Sequence, residues 1–189
     1  MNSLKEKILE DIESEISPKR FKHIMGVSET AVKLAKIYGG DESVCEIAGL
    51  LHDIAKEKPL NEMQELTKGI NLPDKVFLSR ALLHGPAGAV LSKEKYGISE
   101  EIYNACFYHT FGRENMSLTE KIVFVADMTE PGRDFEGLES IRRTSEKNID
   151  RAVIDCINQT LHYLLRNDKD IFEETVKTRN FYLKNMEKK

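Results

Sequence analysis

What this chain of 189 residues lacks narrows it first. Its three cysteines, Cys45, Cys106 and Cys156, stand far apart. They lack the paired spacing of a structural zinc site, and their odd number does not suit a disulfide framework. They are expected as buried thiols in a reducing cytoplasm. No apolar run approaches the ~20 residues that cross a bilayer, so no membrane partner is expected. The opening MNSLKEKILEDIESEI alternates charged and aliphatic side chains, unlike the basic-then-apolar order of a secretory signal, so export is not expected. Positive charge is not in excess either. A formal net charge of −4 argues against a general nucleic-acid binder, which needs a basic face to neutralise phosphates. A small anionic substrate is compatible with that balance, because a few local cations or metal ions suffice to hold it.

What is present describes an ordinary folded chain. Apolar residues at 40% against charged residues at 32% exclude the low hydrophobicity and charge imbalance of disorder, and the length fits one domain over 1–189. Helical punctuation recurs throughout. Leu4, Ile8, Leu9, Ile12 and Ile16 share one face of a 3.6-residue period, which predicts an amphipathic helix over 3–16. Ser17 reads as an N-cap before Pro18, and Gly39-Gly40 closes that second helix. Asp41 caps a third helix ending near His52-Asp53. Pro86 and Gly97 bracket a further helix, with His84 just ahead of it, and Ser99 caps one that runs toward His109. Ser117 and Glu120 have capping-box spacing ahead of Lys121-Ile-Val-Phe-Val-Ala-Asp127, and with no period-two partner elsewhere that apolar run reads as a buried helix. Helices over Asp150–Leu165 and Ile171–Leu183 complete an all-α inventory. Arg113–Met116 and Pro131–Gly137 read as loops.

The stretch AGLLHDIAK sets His52 and Asp53 at the end of an apolar run. One such dipeptide decides nothing, and a lone interior histidine is ordinarily a hydrogen-bonded core residue. Here, however, His23, His52, His84 and His109 all lie at or near predicted helix ends, and Asp53 and Asp127 are carboxylates in apolar surroundings. Burying two carboxylates without cations would cost several kcal/mol each, and a metal centre removes that cost by charge pairing. Imidazole and carboxylate donors without thiolate suit iron, manganese or another borderline divalent metal. Six ligands exceed what one catalytic ion with an open position takes. Two ions sharing Asp53 resolve the count, with His23, His52, Asp53 and Asp127 on one and Asp53, His84 and His109 on the other. Such a pair can hold a hydroxide at neutral pH and clamp a phosphoryl oxygen. His162, inside a periodic helix, reads as a structural or surface residue.

The order His23, His52-Asp53, His84, His109, Asp127 resembles the HD-domain metal-dependent phosphohydrolases, in the subset with two extra histidines for a second metal. The segments RFKHIMGVSETAVKLA, AGLLHDIAK, LLHGPAGA, YHTFGRENMSLTEKIVFVADMTEPGR and LESIRR resemble the bacterial symmetrical bis(5'-nucleosyl)-tetraphosphatases of that class, over about residues 19–165. The resemblance implies an HD-domain helical bundle around a dinuclear, iron-preferring centre. It implies cleavage of diadenosine tetraphosphate to two ADP by a metal-bridged hydroxide, in the cytoplasm, with no nucleic-acid or membrane partner and with room for a homodimer. Two other readings of the ligands stay open: a nucleotidase or phosphodiesterase on another nucleotide, and a di-iron oxygenase. A helical interaction module without activity is disfavoured, because it has no need of six ligands.

Beyond the ligands, Lys56 lies about one helical turn after Asp53, from where it can reach a substrate phosphate or steady Asp53 in catalysis. Thr110, Gly112 and Arg113 follow His109, and Arg133 follows Asp127, in loops suited to substrate binding. A guanidinium offers phosphate a planar fork, which favours Arg133. Arg80, Arg142 and Arg143 read as surface charges. Of Phe107, Tyr108 and Phe111, at least two are expected in the core rather than against an adenine.

Overall fold

The computed structural model describes residues 3–186, and among them the regular structure is entirely helical. The first helix, α1 (Leu4–Glu15), starts at a capping box in which Ser3 and Glu6 satisfy each other's backbone N–H groups, and it buries Ile8 and Ile12. α2 (Pro18–Tyr38) has Ser17 as its N-cap and ends at Gly39, whose φ of 69° is the left-handed conformation glycine adopts without penalty. α3 (Glu42–Leu51) is capped by Asp41 and is followed by turns through His52, Asp53 and Lys56. α4 (Leu60–Leu66) and α5 (Asp74–Phe77) are short. Neither was foreseen, and neither has a side-chain N-cap hydrogen bond to mark its start.

α6 (Arg80–Tyr96) differs from the sequence-based expectation. It begins after Ser79, so His84 lies within the helix and Pro86 in its interior. A proline there forfeits one backbone hydrogen bond and normally costs ~3 kcal/mol. The run from Leu83 to Ala89 is buried, and close packing of that run offsets the cost. At Gly85 an added Cβ would stand 2.9 Å from the Phe107 carbonyl oxygen and 3.2 Å from that of Cys106, so glycine lets α6 lie directly on α7 (Glu100–Tyr108). Gly49 does the same where α3 crosses α2: a Cβ there would stand 2.7 Å from the Cα of Ser28.

α8 (Leu118–Thr129) has the capping box of Ser117 and Glu120, and it is a buried helix, as its apolar run predicts. α9 (Leu138–Ser145) was not foreseen; α10 (Ile149–Arg166) and α11 (Glu173–Met186) were, to within a few residues. Two apolar clusters organise the chain. One joins α1, α3, α6 and α7 through Ile8, Leu50, Leu83 and Cys106. The other joins α2, α8 and α10 through Leu34, Ile122, Val125 and Ile154. α2, α3 and α8 contribute to both clusters, and the candidate ligands lie along the seam between them. All three cysteines are buried free thiols. No helix among the described residues is long and apolar enough to cross a membrane.

Candidate metal centre

Five elements deliver six side chains to one point. His23 comes from the second turn of α2, His52 and Asp53 from the end of α3, His84 from α6, His109 from the end of α7 and Asp127 from the last turn of α8. His52, Asp53, His84 and His109 are almost wholly buried. The donor atoms fall into three overlapping groups, His23/His52/Asp53, His52/His109/Asp127 and Asp53/His84/His109, each within 4.8 Å.

The two oxygens of Asp53 face different donor sets. Oδ2 stands 3.6 Å from Nε2 of both His23 and His52. Asp127 closes that side, with its Oδ1 3.1 Å from His23 Nε2 and 3.9 Å from His52 Nε2. Oδ1 of Asp53 faces His84 Nε2 at 3.1 Å and His109 Nε2 at 3.5 Å. His84 and His109 approach each other through their Nε2 atoms at 3.0 Å.

The opposite edges of the rings fix which nitrogen is free. His52 Nδ1 lies 2.7 Å from the Gly49 carbonyl oxygen, and His109 Nδ1 lies 2.7 Å from that of Cys106. A carbonyl can only accept, so each Nδ1 carries the proton and each Nε2 presents a lone pair to the centre. His23 Nδ1 lies 3.1 Å from Glu130 Oε1, which imposes the same tautomer. Lone pairs therefore face carboxylate oxygens, an arrangement that repels unless a cation lies among them. His23 Nε2, His52 Nε2 and Asp53 Oδ1 are accordingly buried without a hydrogen-bond partner. These residues fit a pair of divalent metal ions sharing Asp53.

The electrostatics agree. Burial pushes His52 down to about 3 and His84 to about 4, so both rings are neutral donors at physiological pH. Burial opposes the charge of Asp53, but the imidazoles grouped around it hold its carboxyl well below the usual range. Burial likewise opposes ionisation of Asp127, and its close neighbours, His23 and the Arg133 guanidinium, hold its carboxyl below the usual range.

Two residues at the centre escaped the sequence reading. Arg20 Nη1 donates to Asp53 Oδ2 at 2.6 Å. Glu130, buried, accepts from the backbone N–H of Gly132 and lies against His23, in a cradle left by two glycines: a Cβ at Gly26 or Gly132 would come within 2.7 or 2.9 Å of its Oε2. The available signal was spacing, since Arg20 precedes His23 by one helical turn and Glu130 follows Asp127 by one.

The other singled-out residues spread out. Lys56 Nζ lies 3.0 Å from His84 Nε2 and 3.9 Å from Asp53 Oδ1, in the turn that follows α3. Thr110 Oγ1 lies 3.2 Å from His84 Nε2. Arg133 grips Asp127, donating from Nε to its backbone carbonyl and from Nη2 to its Oδ1. Arg113 forms a two-pronged pair with buried Glu120, at 2.7 and 2.9 Å, beneath the Tyr108 ring. Gly112, with φ of 69°, packs against Thr178 of α11. Both are thus held by protein groups rather than by the donor cluster. Arg80 donates to the carbonyls of Lys56 and Lys58, and Arg142 to those of Thr129 and Glu130, so these two tie down the segments behind the centre. Phe107 and Phe111 are core residues, and His162 is exposed.

An all-helical fold that gathers buried histidines and aspartates around one shared carboxylate is the arrangement of a metal-dependent helical hydrolase. The chain belongs to the HD domain family, whose model matches residues 20–132. It is similar to proteins named "Bis(5'-nucleosyl)-tetraphosphatase, symmetrical". The one from Halalkalibacterium halodurans is 39% identical over 92% of this chain and 94% of the relative. The one from Staphylococcus aureus is 38% identical over 87% of each. A crystal structure from Clostridium acetobutylicum, described as a "predicted HD superfamily hydrolase involved in NAD metabolism", superposes with a TM-score of 0.93 at 37% identity, over 98% of this chain and 99% of that one.

Proposed function

We propose that this protein is a metal-dependent symmetrical bis(5'-nucleosyl)-tetraphosphatase that hydrolyses diadenosine tetraphosphate to two ADP. The observation that carries the reading is the division of Asp53, one oxygen toward His23, His52 and Asp127 and the other toward His84 and His109. The near full-length relatives share one name, which favours this substrate over other nucleotides and over oxygenase chemistry. We assign His23, His52, Asp53 and Asp127 to one ion and Asp53, His84 and His109 to the other, with iron as the metal and manganese as its nearest substitute. When bound, two divalent ions supply Lewis acidity to a phosphoryl oxygen and to the attacking water. The protein's own part is positioning. Glu130, Gly49 and Cys106 orient the imidazoles, and Lys56 and Thr110 stand where a phosphate oxygen next to His84 can be held. Water adds to the second phosphorus and releases a proton to solvent, the bridging bond to the third phosphate breaks, and the departing ADP takes the electron pair. The proposed compartment is the cytoplasm, with a free nucleotide rather than nucleic acid as substrate.

Hydrolysis in oxygen-18 water by protein reconstituted under anaerobic conditions tests this reading. Mass spectrometry is expected to find ADP as the sole nucleotide product, with one labelled oxygen in one of the two molecules. ATP plus AMP, or no turnover of diadenosine tetraphosphate, would overturn it.

A further inference from the structure

The turn that follows α3 carries more of the centre than any one helix, since His52, Asp53 and Lys56 all stand in it. Its backbone is not helical. Ile54, Lys56 and Lys58 donate to carbonyls three residues back, at 3.2, 2.9 and 3.1 Å, and such turns lack the four-residue ladder that keeps a helix rigid. Asp53 nonetheless holds one oxygen toward His84 and the other toward His23 and His52. A carboxylate so placed needs its turn fixed from outside.

Two exposed side chains grip it from opposite flanks. Glu57, at the far end of the turn, accepts from Ser17, the N-cap of α2, through both oxygens: from the backbone N–H at 2.8 Å and from the hydroxyl at 2.6 Å. The same hydroxyl oxygen accepts from the backbone N–H of Arg20 at 3.2 Å, and the Arg20 side chain returns to Asp53 Oδ2 at 2.6 Å. The turn and the start of α2 are thus joined twice, and His23 lies one helical turn beyond Arg20. On the other flank Arg80, the first residue of α6, donates from Nε to the Lys58 carbonyl at 3.1 Å and from Nη2 to the Lys56 carbonyl at 3.0 Å. One turn further along α6, His84 presents Nε2 to Asp53 Oδ1 at 3.1 Å and to Lys56 Nζ at 3.0 Å. Glu57 and Arg80 both lie at the surface and outside the donor cluster, where a single charged contact adds little to stability.

We infer that Glu57 and Arg80 are positioning residues that set the register of this turn, Glu57 against α2 and Arg80 against α6, and so aim the two oxygens of Asp53 at their separate donor sets. The inference rests on the two-ion reading of Asp53 and adds what holds that carboxylate in place. Loss of Arg80 lets the turn drift from α6, so the fault falls mainly on the side of His84 and His109. Loss of Glu57 loosens the turn from α2, so the fault falls mainly on the side of His23. Charge by itself gives a different pattern. Removing a positive charge near bound cations strengthens their binding, and removing a negative one weakens it. Arg80 therefore separates the two accounts, because position and charge act on it with opposite sign.

Titration of the full-length protein with iron(II) in the absence of oxygen, against a graded chelator, yields two successive dissociation constants and tests the assignment. Arg80→Ala is expected to weaken one ion about tenfold, the lower end for loss of support behind a ligand, and to leave the other near the parent value. Glu57→Ala is expected to weaken one ion to a similar degree, and the double variant both. Glu57→Gln keeps an acceptor for Ser17 without the charge, and should stay near the parent. Arg151→Ala removes an equal charge from an exposed pair with Asp155 on α10 and is expected to match the parent. Unchanged or tighter metal binding by Arg80→Ala would overturn the inference. So would equal loss on both ions in each single variant, or a Glu57→Gln variant that falls as far as Glu57→Ala. A lowered melting temperature of the metal-free variants with metal affinity intact would also overturn it, by leaving both residues a structural role alone. These outcomes are separate from the function reading. A parent that binds two ions without cleaving diadenosine tetraphosphate loses only the substrate assignment. A parent that binds one ion loses the two-ion reading, and the affinity of that ion in the double variant still judges the clamp.

Discussion

In the proposed centre Asp53 is the residue on which both halves depend, and its legibility in sequence came from context: a carboxylate placed after Ala48-Gly49-Leu50-Leu51 must find cations. The same logic marked Asp127, and places at or near predicted helix ends marked His23, His84 and His109. It could not mark Glu130 or Arg20, because a charged side chain in a polar stretch reads as solvated, and the contact of Glu130 with His23 spans 107 positions. Glu130 is nonetheless the group that sets the tautomer of His23. Glu130→Ala is expected to weaken metal binding on the His23 side by about 10- to 100-fold, as loss of a ligand's outer partner generally does, and Gly26→Ala should do the same by pushing Glu130 out of its cradle. Equilibrium dialysis against graded free metal measures this, and wild-type affinity in both variants would remove the role given to Glu130. His162→Ala, by contrast, should leave metal content and turnover at wild-type values, since the ring is exposed and outside the donor cluster.

Among the elements, α6 shows where sequence patterning stops. Proline is ordinarily a first-turn residue, so Pro86 suggested a start, and His84 a position just ahead of it. The helix in fact runs on from Arg80, because packing of its buried face against α7 outweighs the missing hydrogen bond. Caps at Ser17, Asp41, Ser99 and Ser117 were readable because each side-chain oxygen bonds a backbone N–H three residues on. α4, α5 and α9 were not, since none has a side-chain N-cap hydrogen bond. The α6–α7 contact carries a prediction of its own. Gly85→Ala puts a methyl group against two backbone carbonyls that cannot turn aside, and should destabilise the fold by about 1–3 kcal/mol. It should also displace His84 and release metal from the His84/His109 side. Denaturant titration together with metal analysis reads both effects; wild-type values for each would mean that α6 can move without cost.

For the molecule as a whole, the two apolar clusters keep all three thiols out of water. Burial pushes Cys45 up to about 11, and Cys106 and Cys156 are raised as well. Folded thiols that stay protonated to higher pH than unfolded ones, which titrate near about 8.5, add stability that is complete below that pH and is lost as pH rises toward 11. The melting temperature should therefore hold steady between pH 7 and 8 and fall progressively above pH 9. Iodoacetamide at pH 8 should label none of the cysteines until denaturant is added. Labelling of the native protein would contradict the burial on which this rests.

Metal stoichiometry tests the central claim most directly. Metal-free protein titrated with iron(II) in the absence of oxygen, and analysed for bound metal per chain, is expected to saturate at two ions. Asp53→Asn is expected to hold markedly fewer, with circular dichroism of the two proteins unchanged. Saturation of the parent at one ion, or two ions retained by the Asp53→Asn variant, would contradict a centre built around the divided carboxylate.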